Sequence, residues 1–470
     1  MKNTKVERIR QKAMMFGRQF LQGDVGVFDQ AFSRSLTMLV RGQVPSHRER
    51  IYAPLDTLRL FVGQVLSADR ACQDVVGRRL SQRIAQGESE SALTTGSYCD
   101  ARQRLPLAMP VTLVRALGAQ LESIAPAQWR WPGRTVKLFD GTIVSMPDTV
   151  SNQQAYPQSH EQMTGLGFPI ARIGALIGLA SGTIFAHQVV ACEGKGTGEQ
   201  TVLGSLLDHL NADDVLLADA LLTTWWIIEG AKRRGADVLM AHDGRRLIDF
   251  ARGQRLGKHD HIVQWPLPPK PKAMSAAKYA CYPAFITMRE VEVNGRILVT
   301  TLLDPTFVSP RELGALYSMR WNIEVDFRTV KATLEMDVLR CKSQPMVEKE
   351  IAVYFLAYNL VRWAMAKAAL LVDVLPRVLS FTGTKRLLSA FADQLRRTSG
   401  DEIRNLIATV LHGIAKLQLP QRPDRIVKWL RLSEQQSPIG KWDCGRVEDA
   451  ELPMAACVLV AMSMDARRGG

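Results

Sequence analysis

Apolar positions recur with a helical period through residues 55–85 (LDTLRLFVGQVLSADRACQDVVGRRLSQRIA) and again through 97–124 (SYCDARQRLPLAMPVTLVRALGAQLESI), where Pro106 and Pro110 punctuate the run. This predicts a helical region over residues 1–130 whose faces carry Arg102, Arg104 and Arg115. Beyond it the apolar runs shorten to strand length. Val136 to Phe139 is apolar and closes on Asp140, so a strand is expected to end there. Residues 170–179 and 183–191 read as two strands about a Ser181-Gly182 turn. A helix over about 199–210, a strand from Val215 to Ala218 closing on Asp219, a helix from Leu222 and a strand at 236–241 complete the stretch 131–242.

That order is strand, strand, strand, helix, strand, helix, strand. It predicts an α/β fold with an RNase H-like core, a mixed five-stranded sheet with helices. Its topology sets Asp140 on the first strand beside Asp219 after the fourth. Residues 243–309 break the pattern. Asn294-Gly295 between FITMREVEV and RILVTTLL is a strong hairpin signal, and PLPPKPK is a basic, proline-rich connector. This reads as a β-rich insertion, after which 310–365 returns to the core. Residues 366–470 read as a helical C-terminal region with a possible dimerisation role; RIVKWLRL is basic and amphipathic, and the tail after 432 is expected to be partly disordered. The apolar stretch 351–375 contains Arg362, Lys367 and Asp373, which predicts a buried helix rather than a membrane span.

The most informative polar pattern lies in LGALYSMRWNIEVDFRTVK (313–331). Tyr317, Arg320, Glu324 and Lys331 are spaced by 3, 4 and 7. At 100° per residue they share a helical sector of about 60°. Leu316, Ile323, Phe327, Val330 and Leu334 form an adjacent apolar stripe. One helix thus buries an apolar face and presents a carboxylate flanked by two cations and a phenol. Carboxylates bind divalent metals, and Arg and Lys hold phosphates. On this helix alone a salt-bridged surface explains the pattern equally well, because Arg320 and Glu324 form an ordinary i,i+4 pair.

Asp140 and Asp219 change the balance. A carboxylate beside a core is costly unless paired, hydrogen-bonded or bound to metal. Either aspartate alone reads as a turn residue; with Glu324 they make a three-carboxylate constellation. The net charge of +14, from 60 Lys+Arg against 46 Asp+Glu, favours a polyanionic partner, nucleic acid before membrane. The charged N-terminus lacks an apolar export segment, which predicts a cytoplasmic, nucleoid-associated protein. Seven cysteines without a CxxC pair suggest neither a disulfide framework nor a zinc site. His259-Asp260-His261 could ligate metal but reads better as a solvated turn. EGKGTGEQT (193–201) lacks the Lys-Ser/Thr of a phosphate loop and reads as a flexible turn that Glu199 caps.

The Tyr-x2-Arg-x3-Glu-x6-Lys pattern, an upstream Asp-Gly-Thr at 140–142 and a strand-end Asp219 resemble the bacterial insertion-sequence DDE transposases that carry the Tyr-Arg-Glu-Lys (YREK) signature. LVTTLLDP at 298–305 and FLAYNLVR at 355–362 agree, and the likeness runs from about 97 to 365. The resemblance implies a catalytic and metal-binding set of Asp140, Asp219 and Glu324 holding two Mg²⁺ or Mn²⁺ ions. It implies DNA-end contacts through Tyr317, Arg320 and Lys331, with Trp321 placed to stack on an unpaired base; core packing accounts for this tryptophan equally well. It further implies nicking, hairpin formation and opening, strand transfer into target DNA, a homodimer on DNA, and a DNA-binding role for the N-terminal helices. A nuclease or resolvase of the same fold, or a non-catalytic transposition inhibitor, are the alternative readings.

Overall fold

The computed structural model describes residues 51–420 apart from 86, 88–93, 162, 164, 273 and 399, together with residues 40 and 42–44. The basic RIVKWLRL segment and the tail after 432 lie outside the described residues. The first periodic run forms two helices, α1 (Pro54–Leu66) and α2 (Cys72–Ala85). Arg70, at φ +55°, occupies the left-handed region between them and ends the helical path. The second run gives α3 (Gly96–Arg104) and α4 (Ala108–Ser123), divided at Pro106 as the sequence suggests.

The sheet begins with β1 (Val136–Ser145), which continues five residues past Asp140 instead of stopping there. Two partners explain this. Parallel pairing with β4 (Val215–Ala218) stops at Leu138↔Leu217, whereas antiparallel pairing with β2 (Ile170–Gly178) runs on to Ser145↔Ile170. A short helix α5 (Val150–Ala155) intervenes. β2 turns at Gly182, φ +71°, into β3 (Ile184–Ala191), the anticipated hairpin. α6 (Glu199–Leu206) and α7 (Trp225–Lys232) flank β4, and β5 (Asp237–Ala241) pairs parallel to it. Val202, Leu203, Leu206, Trp225 and Ile228 from these helices close the core on Phe139, Leu216 and Met240 of the strands.

The expected five strands lie side by side in the order β3-β2-β1-β4-β5, but the sheet has nine strands, not five. The insertion contributes β6 (Gln254–Gly257), β7 (Asp260–Pro266), a short α8 (Ala276–Ala280), β8 (Phe285–Val293) and β9 (Arg296–Thr300). β9 pairs antiparallel to β5 through Met240↔Val299, so the insertion extends the core sheet. An edge strand left unpaired would expose its backbone donors and acceptors. Asn294 and Gly295, at φ +52° and +74°, make the predicted tight turn between β8 and β9. The His259-Asp260-His261 segment is not the solvated turn expected: Asp260 and His261 are buried. The Asp260 carboxylate takes two bonds from Arg289, at 2.8 and 2.6 Å, and His261 Nε2 lies 2.7 Å from Glu290 Oε2.

The glutamate segment is not one continuous α-helix. It runs as α9 (Pro310–Ser318), a 3₁₀ turn (Met319–Trp321), α10 (Asn322–Arg328) and a π-helical turn (Thr329–Thr333). Ser309, Pro310 and Glu312 start α9 with a capping box. The predicted apolar stripe is all buried: Leu316, Ile323, Phe327, Val330 and Leu334. The chain then enters α11 (Gln344–Val372), followed by α12 (Phe381–Arg397) and α13 (Gly400–Lys416). α11 is long and apolar enough to cross a membrane, yet 83% of its most apolar window is buried within the fold. Its Asn359 accepts from Ile184 N–H at 2.9 Å and donates to the carbonyls of Ile184 and Val114, joining α11 to β3 and α4.

Candidate active site

Asp140 stands two residues beyond Leu138 on β1, and Asp219 two residues beyond its partner Leu217 on β4. Residues two apart on a strand point to one face. Adjacent strands lie about 4.8 Å apart. Asp140 and Asp219 thus both stand just past the point where the adjacent strands β1 and β4 stop pairing. Asp140 Oδ1 accepts from Gly141 N–H at 2.8 Å, and the Asp219 carboxylate accepts from Ala220 N–H and starts the 3₁₀ turn Ala220–Leu222.

Glu324 arrives from the far side of the sequence. The chain leaving the π-helical turn is bonded to the end of β1: Ser145 N–H donates to the Asp337 carbonyl at 3.0 Å, and Leu339 N–H to the Ser145 carbonyl at 2.9 Å. On the same helix as Glu324, Asp326 is fully buried. It accepts from Tyr358 Oη at 3.0 Å, from Arg362 at 2.7 Å, and from both Nη atoms of Arg377 at 2.9 and 2.7 Å. These bonds clamp α10 to α11 and set which face of α10 looks at β1.

Between Asp140 and Glu324 lies Arg320. Its Nη1 is 3.6 Å from Asp140 Oδ2 and its Nη2 is 3.4 Å from Glu324 Oε1. Burial pushes the Asp140 carboxyl up to about 6; Gly141 N–H and Arg320 oppose the rise, and Glu199 and Glu324 add to it. Tyr317 is buried, and its phenol is raised by that burial, against Arg320 and with Asp219. So Tyr317 and Arg320 both face the carboxylates. Lys331 lies in the π-helical turn and makes no ion pair or hydrogen bond among the described residues. A uniform wheel does not describe its place, because the 3₁₀ and π turns change the rotation per residue. Trp321 is 47% exposed, which removes the core-packing explanation.

The carboxylates offer the hard oxygen donors that Mg²⁺ or Mn²⁺ prefers. A half-buried Asp140 held near pH 6 is a group that a cation would relieve. Among the described residues no three acidic, histidine or cysteine side chains are gathered tightly enough to chelate one ion as they stand. The guanidinium of Arg320 fills the interval where Asp140 and Glu324 would meet. The donors are of the kind a divalent ion takes, with Arg320 standing between two of them.

Two residues near the site were not anticipated in this role. Glu199 begins α6 but makes no capping bond to it; its carboxylate lies against the Asp140-Gly141 peptide, where a Cβ on Gly141 would meet Oε1 at 2.9 Å. Arg172 on β2 pairs with it at 2.8 Å. An arginine inside IARIGALIGL was the available signal, since a cation in such a strand needs a partner.

Residues 131–360 match the family described as Transposase DDE domain. The transposase InsG of insertion sequence element IS4 from Escherichia coli K12 is 29% identical over 379 residues, 78% of this chain and 82% of that one. The piggyBac transposase in its synaptic complex with hairpin DNA is 9% identical with a TM-score of 0.39, covering 85% of each chain.

Proposed function

The chain belongs to the DDE transposases of bacterial insertion sequences, and from that premise we propose that Asp140, Asp219 and Glu324 hold two divalent ions with which it cleaves and joins the DNA of its own element. The observation that carries this reading is the pair of aspartates at the end of β1–β4 pairing with Glu324 reached through one guanidinium. The core strands β3-β2-β1-β4-β5 support an RNase H-like reading, with β6–β9 as an elaboration of its edge.

When bound, Mg²⁺ or Mn²⁺ supplies an activated hydroxyl and stabilises the leaving 3′-oxygen. The protein's own groups position the DNA. Arg320 exchanges its two carboxylates for a phosphate as the strand enters. Lys331, with no competing carboxylate, holds a second phosphate. Tyr317, whose phenol burial keeps protonated, donates a hydrogen bond to a phosphate oxygen. The half-exposed Trp321 gives an unpaired base a stacking surface. The sequence of events follows as hairpin formation and opening at the element end, then strand transfer, within a homodimer that acts in trans. The N-terminal helices take part in binding DNA ends.

Glu324→Gln tests the reading. With element-end DNA and Mg²⁺ it is expected to bind almost as the parent does, because binding rests on phosphate neutralisation, and neither to nick nor to join. Nicking near the parental rate would remove Glu324 from the chemistry. Nicking without joining by the parent protein would favour a nuclease instead.

A further inference from the structure

We propose that the cleft between the N-terminal helices and the loop leaving the Glu324 segment binds a phosphoryl oxyanion. A cavity of about 190 Å³ lies there. It is lined by Arg70, Arg102 and Arg340, by the thiols of Cys72 and Cys341, and by Gln64. That volume far exceeds the roughly 10–15 Å³ needed to hold one water.

Arg102 is the central observation. It is 6% exposed, yet no carboxylate lies within ion-pair distance of it among the described residues. Its Nη1 and Nη2 reach only sulfur, Cys72 Sγ at 3.1 Å and Cys341 Sγ at 3.2 Å, and its Nε has no partner. The guanidinium stacks on Phe61, 3.9 Å from the ring centre. Desolvation works against the buried cation, the Glu350 carboxylate that shares the cleft acts on it only from beyond ion-pair distance, and thiols are weak acceptors. An oxyanion in the cleft would offset that cost.

The other lining charges leave the cleft positive. Arg70 is held at the rim by the Glu335 carboxylate, the Glu335 carbonyl at 2.9 Å and Tyr354 Oη at 3.1 Å, and its Nε too is without a partner. Arg340 is exposed and donates to the Asp69 carbonyl at 3.0 Å. The one lining carboxylate, Glu350, is occupied by the N–H groups of Arg340, at 3.1 Å, and Cys341, at 2.9 Å. Three guanidinia thus face two carboxylates, both already engaged. Guanidinium donors grouped in this way suit a phosphoryl group.

The placement bears on function. Arg70 lies in the turn between α1 and α2, and Glu335 stands two residues after the π-helical turn that carries Lys331; both have left-handed backbone, at φ +55° and +58°. An anion here would tie the N-terminal helices to the segment leading out of the candidate active site. The oxyanion has two sources, free phosphate or a backbone phosphate of DNA.

The full chain is titrated with inorganic phosphate against sodium chloride at equal ionic strength, following thermal unfolding and phosphate ³¹P line width. The parent protein is expected to gain a few degrees and to broaden the phosphate line. Arg102→Gln should lose both responses. Because that variant changes a buried group, Arg340→Gln and Arg70→Gln carry the same test at the rim and should weaken apparent affinity at least about fivefold. A second arm uses end DNA with single methylphosphonates. One position whose neutralisation weakens the parent, but not Arg340→Gln, identifies a DNA phosphate; no such position, with phosphate still bound, identifies the free ion. The inference falls if phosphate has no effect beyond chloride, or if the rim variants respond as the parent does. The phosphate arm stands whatever the outcome for the transposase chemistry.

Discussion

Asp326→Asn should destabilise the protein more than any surface charge change, although Asp326 touches none of the candidate catalytic groups. Its carboxylate is fully buried and takes four hydrogen bonds, three of them from Arg362 and Arg377. Asparagine keeps one acceptor and turns an N–H group toward Arg377 Nη2, donor against donor. Arg362, 4% exposed, is then left without a full counter-charge. Breaking such a buried arrangement from one side costs about 3–5 kcal/mol. Unfolding entropy near 2.1 cal/mol/K per residue, over the roughly 370 residues between 51 and 420, gives about 0.8 kcal/mol/K. The melting temperature should therefore fall by about 4–6 °C by calorimetry. Since Asp326 fixes α10, cleavage should also slow at temperatures where the variant is still folded. A fall of less than about 1 °C would refute the clamp.

Arg320→Ala and Lys331→Ala should each weaken DNA-end binding and flatten the slope of log K against log salt by about one unit. Folding should change little, because the Arg320 contacts are long and partly exposed; unchanged slopes in both variants would make the cations structural. In the metal-free protein Asp140 titrates near 6, above its unfolded value of about 3.9. Its contribution to stability is thus fully present below about 3.9 and is lost as pH rises through 6, where the ionised form awaits a cation. Mn²⁺ affinity should accordingly drop as pH falls through 6, with proton release on binding there; calorimetry in two buffers that shows no proton release would contradict this. Gly174→Ala should cost about 1–3 kcal/mol in denaturant unfolding, because its Cβ would overlap Val202 and crowd Phe139; a neutral result would mean that α6 moves freely on β2.

Short-range patterns were legible in the chain. The β2–β3 turn at Gly182, the Asn294-Gly295 turn, the apolar stripe from Leu316 to Leu334 and the aspartates after two apolar runs all depend on local backbone preference or on side-chain period. These features, together with the Tyr-Arg-Glu-Lys spacing, were enough to point to the family. Several other features depended on partners distant in sequence. β1 outruns Asp140 because β2 supplies bonds that β4 does not. The insertion joins the sheet because β9 finds the free edge of β5. The position of Arg320 between two carboxylates, the approach of Glu199 to the Asp140-Gly141 peptide and the two arginines on Asp326 involve residues as far as 180 positions apart. Local periodicity carries no information about such pairs. They are selected by burial, which makes an unpaired charge costly, and only the folded arrangement shows which partner offsets each one.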